Sequence, residues 1–311
     1  MARRSQACGL LPILIGLSLL GVSCGGSTTQ SSTTQSSNGQ TSGSSQPTKV
    51  QHVFIVMEEN QNYSDVIGSS EMPYLNGLAT TYGYAQSYYA NTHPSIGNYF
   101  MLTTGKTITN DDGFSGTVSD DNIVRHLIKA GKTWKEYSED LPSTGYTGGD
   151  SGGYVQHHNP LAYFSDVQND GTQAQNLVPF SQFAIDLHNH ALPNYSLIVP
   201  NDQDNSHDGS RAQADSWLQT NIDPLVKSSD FNTPGGGLLI IAYDESRDDN
   251  TMGGGKVAWV VVGPGVKKGH SSTTTYQHES TLRLVSKLIG LPDFPGASAS
   301  APDMGEFISG D

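Results

Sequence analysis

The sequence predicts an α/β fold, a three-layer αβα sandwich with a largely parallel central sheet. Three observations predict it. Four short apolar runs rich in β-branched residues recur along the chain, each closed by a polar or Pro/Gly turn. Between them lie segments whose apolar residues recur at spacings of three and four, the signature of a half-buried helix. The length of 311 residues, with one change of composition near residue 50, suits a single sizeable core and not a string of small modules. Strands apolar on both sides need cover on both faces of their sheet, and intervening helices supply it.

The first run, His52-Val53-Phe54-Ile55-Val56-Met57, ends in Glu58-Glu59-Asn60 and reads as a buried strand. A helix is expected to start at Ser95, because Phe100, Met101 and Leu102 follow it and Gly105 suits a C-terminal stop. A second helix is expected over Asp121 to Ala130. Strands follow at Tyr195 to Val199, Leu238 to Tyr243 and Val257 to Val262, and a last helix at His278 to Ile289. No internal repeat is present. In such sheets ligands bind beyond the carboxyl ends of the strands. The residues that should meet there are Glu58, Glu59 and Asn60; Asn201, Asp202 and Asp204; and Asp244 and Glu245.

Residues 1–24 read as an export signal: Arg3 and Arg4, an apolar run from Leu10 to Leu20 too short to span a bilayer comfortably, and a small-residue finish before Cys24. Leu20 to Gly26 resembles a bacterial lipoprotein cleavage box, with Gly21 where an aliphatic residue is usual. Residues 25–49, rich in Ser, Thr, Gln and Gly, form a disordered linker, and residues 50–311 form the catalytic domain. The chain is expected to be exported, as a cell-envelope lipoprotein or a secreted protein, touching a membrane only through an N-terminal lipid. Cys8 and Cys24 are the two cysteines, so residues 50–311 hold neither a disulfide nor a cysteine metal site. A net charge of −14 with no basic stripe excludes a nucleic-acid partner.

Glu, Asn and Asp side chains that converge in a cleft need a counter-charge, and a divalent cation is the simplest. Taken singly, each of these residues reads as an ordinary solvated loop residue. Ser95 at a helix start is most often a cap. It can also be a nucleophile whose phosphoryl adduct is favoured by free backbone N–H groups and the positive dipole end. Asn98, one turn later, can then donate its side-chain NH₂ to the same phosphate. Asp111-Asp112 and Asp120-Asp121 read as a solvated loop and a helix start, and His157, His188, His190 and His270 as structural or surface residues. A rival of another class rests on Asp204-Asn205-Ser206-His207-Asp208-Gly209 and Asp215, the spacing of a calcium loop, which would make the chain a calcium-stabilised binding lipoprotein. That loop should be flanked by helices, whereas a strand-like run and Pro200 precede it.

Val53 to Asn60 with Tyr63, Thr92-His93-Pro94-Ser95-Ile96-Gly97-Asn98-Tyr99, Gly152-Gly153-Tyr154 with His158-Asn159-Pro160, Asp204 with His207-Asp208, and Tyr243-Asp244-Glu245 occur in a recognisable order. In that order the chain resembles the phosphoesterase family of acid phosphatases and phosphatidylcholine-type phospholipases C, in the alkaline phosphatase superfamily. The resemblance implies an alkaline-phosphatase-like sandwich and a phosphoric ester hydrolase acting through a phosphoserine on Ser95. It implies one divalent ion held by Glu59, Asn60, Ser95, Asp244 and Glu245, with Asn98, His158, His207 and His278 as further catalytic residues. The chain departs from the family at Gly97, where relatives carry proline, which predicts a looser turn at the nucleophile. It departs also at the doubled Glu58-Glu59, and the absence of a histidine after Asp244 favours one ion over two. Phospholipases C of the family are generally longer, so a small phosphomonoester is the expected substrate and a phosphodiester the alternative. Neither the identity of the metal nor an oligomeric state is written in the sequence.

Overall fold

The computed structural model describes residues 49–310. The export signal, Cys24 and the linker as far as residue 48 lie outside the described residues, and no helix among those described is long and apolar enough to cross a membrane. Eight strands form one sheet: β1 His52–Glu58, β2 Gly83–Ala85, β3 Trp134–Ser138, β4 Leu177–Pro179, β5 Tyr195–Val199, β6 Gly237–Tyr243, β7 Trp259–Val262 and β8 His270–Ser272. Their order is β4-β3-β5-β1-β6-β7-β2-β8. β1 pairs in parallel with both β5 and β6, and β3 in parallel with β4 and β5. β7 is antiparallel to β6 and to β2, so the sheet is mixed at one side and parallel through its centre.

The apolar runs become the central strands because burial on both faces leaves no position where a polar side chain is solvated. Every residue of β5, β6 and β7 is buried. The four strands without such a run, β2, β3, β4 and β8, are three to five residues long, and β3, β4 and β8 carry Lys135, Pro179 and His270. On one side of the sheet Phe54 meets Phe183 of the helix Ser181–His188 edge-on at 6.2 Å and lies 6.3 Å from Phe231 of the short helix Ser229–Asn232. The helix His278–Ile289 has the expected bounds and stops at Gly290, which takes φ 82° at little cost for want of a Cβ. The helix expected from Asp121 runs instead over Ile123–Lys129, because Asn122 caps it by accepting from Arg125 N–H at 2.9 Å.

Side chains alternate across a strand, so Glu58 and Glu59, at the end of β1, leave for opposite faces. The order β5-β1-β6 brings the ends of three parallel strands side by side, and that junction positions the site.

Candidate active site

The segment after β1 is clamped from the loop after β5: Glu59 N–H donates to Asn205 C=O at 2.9 Å, and Ser206 Oγ donates to Glu59 C=O at 3.1 Å. From β6, Asp244 N–H donates to Glu58 C=O at 3.0 Å, and Asn60 N–H returns a bond to Asp244 Oδ1 at 3.2 Å. Asn60 makes this bend with φ 52°, a conformation asparagine tolerates better than most residues.

Ser95 precedes the helix Ile96–Thr104, is almost fully buried, and makes no side-chain cap. Its hydroxyl donates to Glu59 Oε2 at 3.3 Å, so the ordinary capping role is not the one it fills. Glu59 also accepts from the Tyr99 hydroxyl. Burial, then the neighbouring Asp244, holds the Glu59 carboxyl well above its usual range. Burial raises Asp244 as well, and it raises Glu245, with Asp244 and Asp112 adding to it, up to about 9. Asp244 Oδ2 is buried with no hydrogen-bond partner. Three crowded carboxyls, one with an orphaned oxygen, suit a site that takes a divalent cation, since oxygen donors of this kind are its preferred ligands.

Asn98 is fully buried and already engaged. Its Oδ1 accepts from Asn91 N–H at 2.9 Å and Thr92 N–H at 3.2 Å, and its NH₂ donates to Thr92 C=O at 2.9 Å and Glu245 Oε2 at 3.4 Å. It therefore folds the strand-to-helix turn onto the carboxylates. Gly97 has no space for a side chain: a Cβ there would lie 2.4 Å from Asn110 Oδ1 and 2.5 Å from Thr92 Cγ2. In place of the looser turn expected from a missing proline, the glycine packs closely against the side chains of Thr92, Thr107 and Asn110.

The three histidines take different places. His158, buried, sets Nε2 3.4 Å from Glu59 Oε1 and Nδ1 3.3 Å from Asp202 Oδ1, with its ring stacked on Tyr99 at 5.3 Å. His207 is nearer solvent, 6.0 Å from the His158 ring, and pairs Nδ1 with Asp208 Oδ1 at 2.9 Å. His278 is fully buried, and burial lowers its pKa to about 4. Its Nε2 is 2.7 Å from Asp244 C=O and its Nδ1 3.1 Å from the Tyr88 hydroxyl. A carbonyl accepts only, so Nε2 carries the proton, Nδ1 accepts from Tyr88, and the neutral ring steadies Asp244 through its backbone.

Asp202, His207 and Asp208 form a second polar group, with one ligand atom from each inside 4.8 Å of the others. These three atoms can share a cation. The carboxylates around Ser95 are not drawn this tightly and have the serine hydroxyl among them. The calcium loop does not form: Asp215 sits in the helix Arg211–Asn221 and accepts from Tyr74 and Leu75 N–H at 2.8 Å each, at the start of the helix Pro73–Thr81, while β5 and not a helix precedes the loop.

Sequence reasoning missed three residues at the site, His93, Tyr99 and Asp112, and gave no role to a fourth, Asp202, which it had placed at the strand ends. His93 Nδ1 is 2.9 Å from Glu245 Oε2. Asp112, read as a solvated loop residue, accepts from Ile96 N–H at 3.2 Å at the helix start and helps to raise Glu245. Tyr99 and Asp202 hold Glu59 and His158. His93 and Tyr99 flank Ser95 in the recognised motif, which was the available signal; Asp112 had none.

This α/β sheet, with a polar site at three joined strand ends, has the fold of alkaline phosphatase superfamily structures. The structure is similar to a phosphonate monoester hydrolase from Silicibacter pomeroyi, with TM-score 0.57 and 13% identity over 85% of this chain and 77% of that one. It is also similar to an alkaline phosphatase superfamily protein from Vibrio parahaemolyticus, with TM-score 0.53 and 13% identity over 78% and 67% of the two chains. Within that class, the profile of the Phosphoesterase family matches residues 69–292. The phosphatidylinositol-3-phosphatase of Mycobacterium tuberculosis is 32% identical over 84% of this chain and 83% of its own. An acid phosphatase of Aspergillus fumigatus is 31% identical over 77% of this chain, which spans 55% of that relative's length. The chain belongs to the phosphoesterase family and is a phosphoric ester hydrolase.

Proposed function

We propose that the chain is an exported, metal-dependent acid phosphatase that hydrolyses phosphomonoesters through a phosphoserine on Ser95. The observation that carries this reading is the uncapped Ser95 hydroxyl at a helix start, bonded to Glu59 beside Asp244 and Glu245. The names of the relatives, phosphatases in each case cited, support monoesters over diesters. Glu59, Asn60, Ser95, Asp244 and Glu245 would hold the ion. When bound, it supplies a lowered pKa for the serine hydroxyl and positive charge against the phosphoryl oxygens.

Ser95 Oγ attacks phosphorus, the bond to the leaving oxygen breaks, and His207 or His158 protonates the departing alcohol. Water then attacks phosphorus, the bond to Ser95 Oγ breaks, inorganic phosphate leaves, and the serine oxygen takes back a proton. Tyr99 orients Glu59, while Asn98 and His278 position Glu245 and Asp244. Because a carboxyl buried at this depth is ionised only with compensation, a cation would draw protons off Glu59, Asp244 and Glu245 as it binds.

Ser95→Ala is expected to lower turnover of p-nitrophenyl phosphate by roughly 10⁴-fold or more with the melting temperature little changed. Wild-type activity in that variant would remove the nucleophile from the proposal. Chelation should abolish turnover and added divalent metal should restore it; chelator-insensitive hydrolysis counts against the ion.

A further inference from the structure

A cavity of about 400 Å³ adjoins the carboxylate site and shares Asn60 and His207 with it; Gln61, Ser206, Arg211 and Arg247 also line it. Among the described residues the chain has four arginines, and two of them meet here. That concentration is unusual for a chain of net charge −14, and it lies beside His207, one of the two groups assigned above to protonate the leaving alcohol.

Both guanidinium groups are held by acidic partners, Glu71 in the cavity lining and Asp65 outside it. Arg211 donates to Gln61 Oε1 at 3.1 Å and to Glu71, and Arg247 donates to Asp65 Oδ2 at 2.8 Å. Each pair has one half-exposed partner, Arg247 at 52% and Glu71 at 47%, and one more enclosed, Asp65 at 31% and Arg211 at 26%. Ion pairs this open are worth about 0–1 kcal/mol, so they orient the forks without neutralising them against a stronger anion. A phosphate or carboxylate accepts bidentate bonds from arginine, a geometry a hydroxyl cannot match. The floor of the cavity is the start of the helix Arg211–Asn221, whose dipole also favours negative charge.

Resting on the phosphomonoesterase reading above, we propose that this cavity selects esters whose leaving group carries a second anionic group, bound by Arg211 and Arg247 while the scissile phosphate lies at Ser95. The second anion has two sources of the same chemistry, a free phosphate on a soluble compound or the diester phosphate of a lipid headgroup. Esters that lack the second anion forgo these charge-assisted bonds and are turned over less efficiently.

The test compares kcat/KM of the full chain, loaded with the metal that supports turnover, on two matched pairs. Glucose 6-phosphate against glucose 1,6-bisphosphate isolates a free second phosphate, and inositol 3-phosphate against glycerophosphoinositol 3-phosphate isolates the diester of a lipid headgroup. A preference of about tenfold or more for the doubly charged member of either pair is expected, and the pair that shows it identifies the source. Arg247→Gln, at a half-exposed position, should cut that preference several-fold while p-nitrophenyl phosphate turnover falls less. Arg211→Gln should do the same, with its melting temperature as the check on folding. Turnover of p-nitrophenyl phosphate with no preference in either pair, or a preference that survives both substitutions, overturns the proposal. No turnover of any monoester overturns the phosphatase reading beneath it, and the proposal with it.

Discussion

Glu58 and Glu59 are neighbours at the end of one strand, both fully buried, and both have carboxyls held well above their usual range mainly by burial. Glu59 meets Ser95, Tyr99 and His158. Glu58 meets other acids, Asp215, Asp204 and Glu139, and neither of its oxygens has a hydrogen-bond partner. The difference teaches that burial and a raised pKa do not define a site. What distinguishes Glu59 is convergence with a nucleophile, donors and further ligands in one place. On the other face the same desolvation is an uncompensated cost.

The largest effect that separates the two is on activity. Glu59→Gln should lower kcat/KM on p-nitrophenyl phosphate by more than the roughly 10–100-fold that outer-shell substitutions cost at metal sites, while Glu58→Gln should leave it within a few-fold. Equal losses would break the comparison. A second carboxyl away from the site sharpens it through stability. Glu136, in β3, is fully buried with Oε1 unpartnered, and burial pushes it up to about 8 from 4.5. Between those values the unfolded chain has lost the proton that the folded chain keeps, so the contribution of Glu136 to stability is greatest below about pH 4.5 and is lost as pH rises to about 8. The fall should be on the order of 3 kcal/mol, and Glu136→Gln should flatten it in denaturant titrations at pH 5 and pH 8. A flat wild-type profile would mean that water or an ion satisfies Glu136.

His158→Asn should reduce turnover by about 10–100-fold, as expected for a group that touches both Glu59 and Asp202, and a loss no larger than that of His157→Asn would sink its role. The smallest effect returns to Glu58: Glu58→Gln removes an ionisable group with no partner and should raise stability by about 1 kcal/mol at neutral pH, read as a higher melting temperature. A drop would show that Glu58 has a partner of its own.

Much of this arrangement was legible. β1 ran one residue beyond its apolar run, and the helix His278–Ile289 kept its expected bounds because its apolar period is strong and glycine follows it. The short outer strands were not legible, since three residues such as Gly83–Ala85 carry no alternation to read. At the site, the doubling Glu58-Glu59 was resolved in the sequence only by adjacency to Asn60. Asp112 looked like a loop acid because nothing local records that its loop returns to the start of the Ser95 helix. Asn98 kept its spacing from Ser95, but its amide is spent on Asn91, Thr92 and Glu245, contacts that exist only once the turn has closed.

The sequence by itself determined where apolar runs stop and which oxygen-bearing residues follow them, because strand propensity and turn chemistry act over a few neighbouring residues. Tertiary structure alone decided which of two adjacent glutamates faces the nucleophile and which carboxyls keep their protons. Period-two alternation separates Glu58 from Glu59 without saying which face is which, and desolvation is set by whatever the rest of the chain packs against each carboxyl.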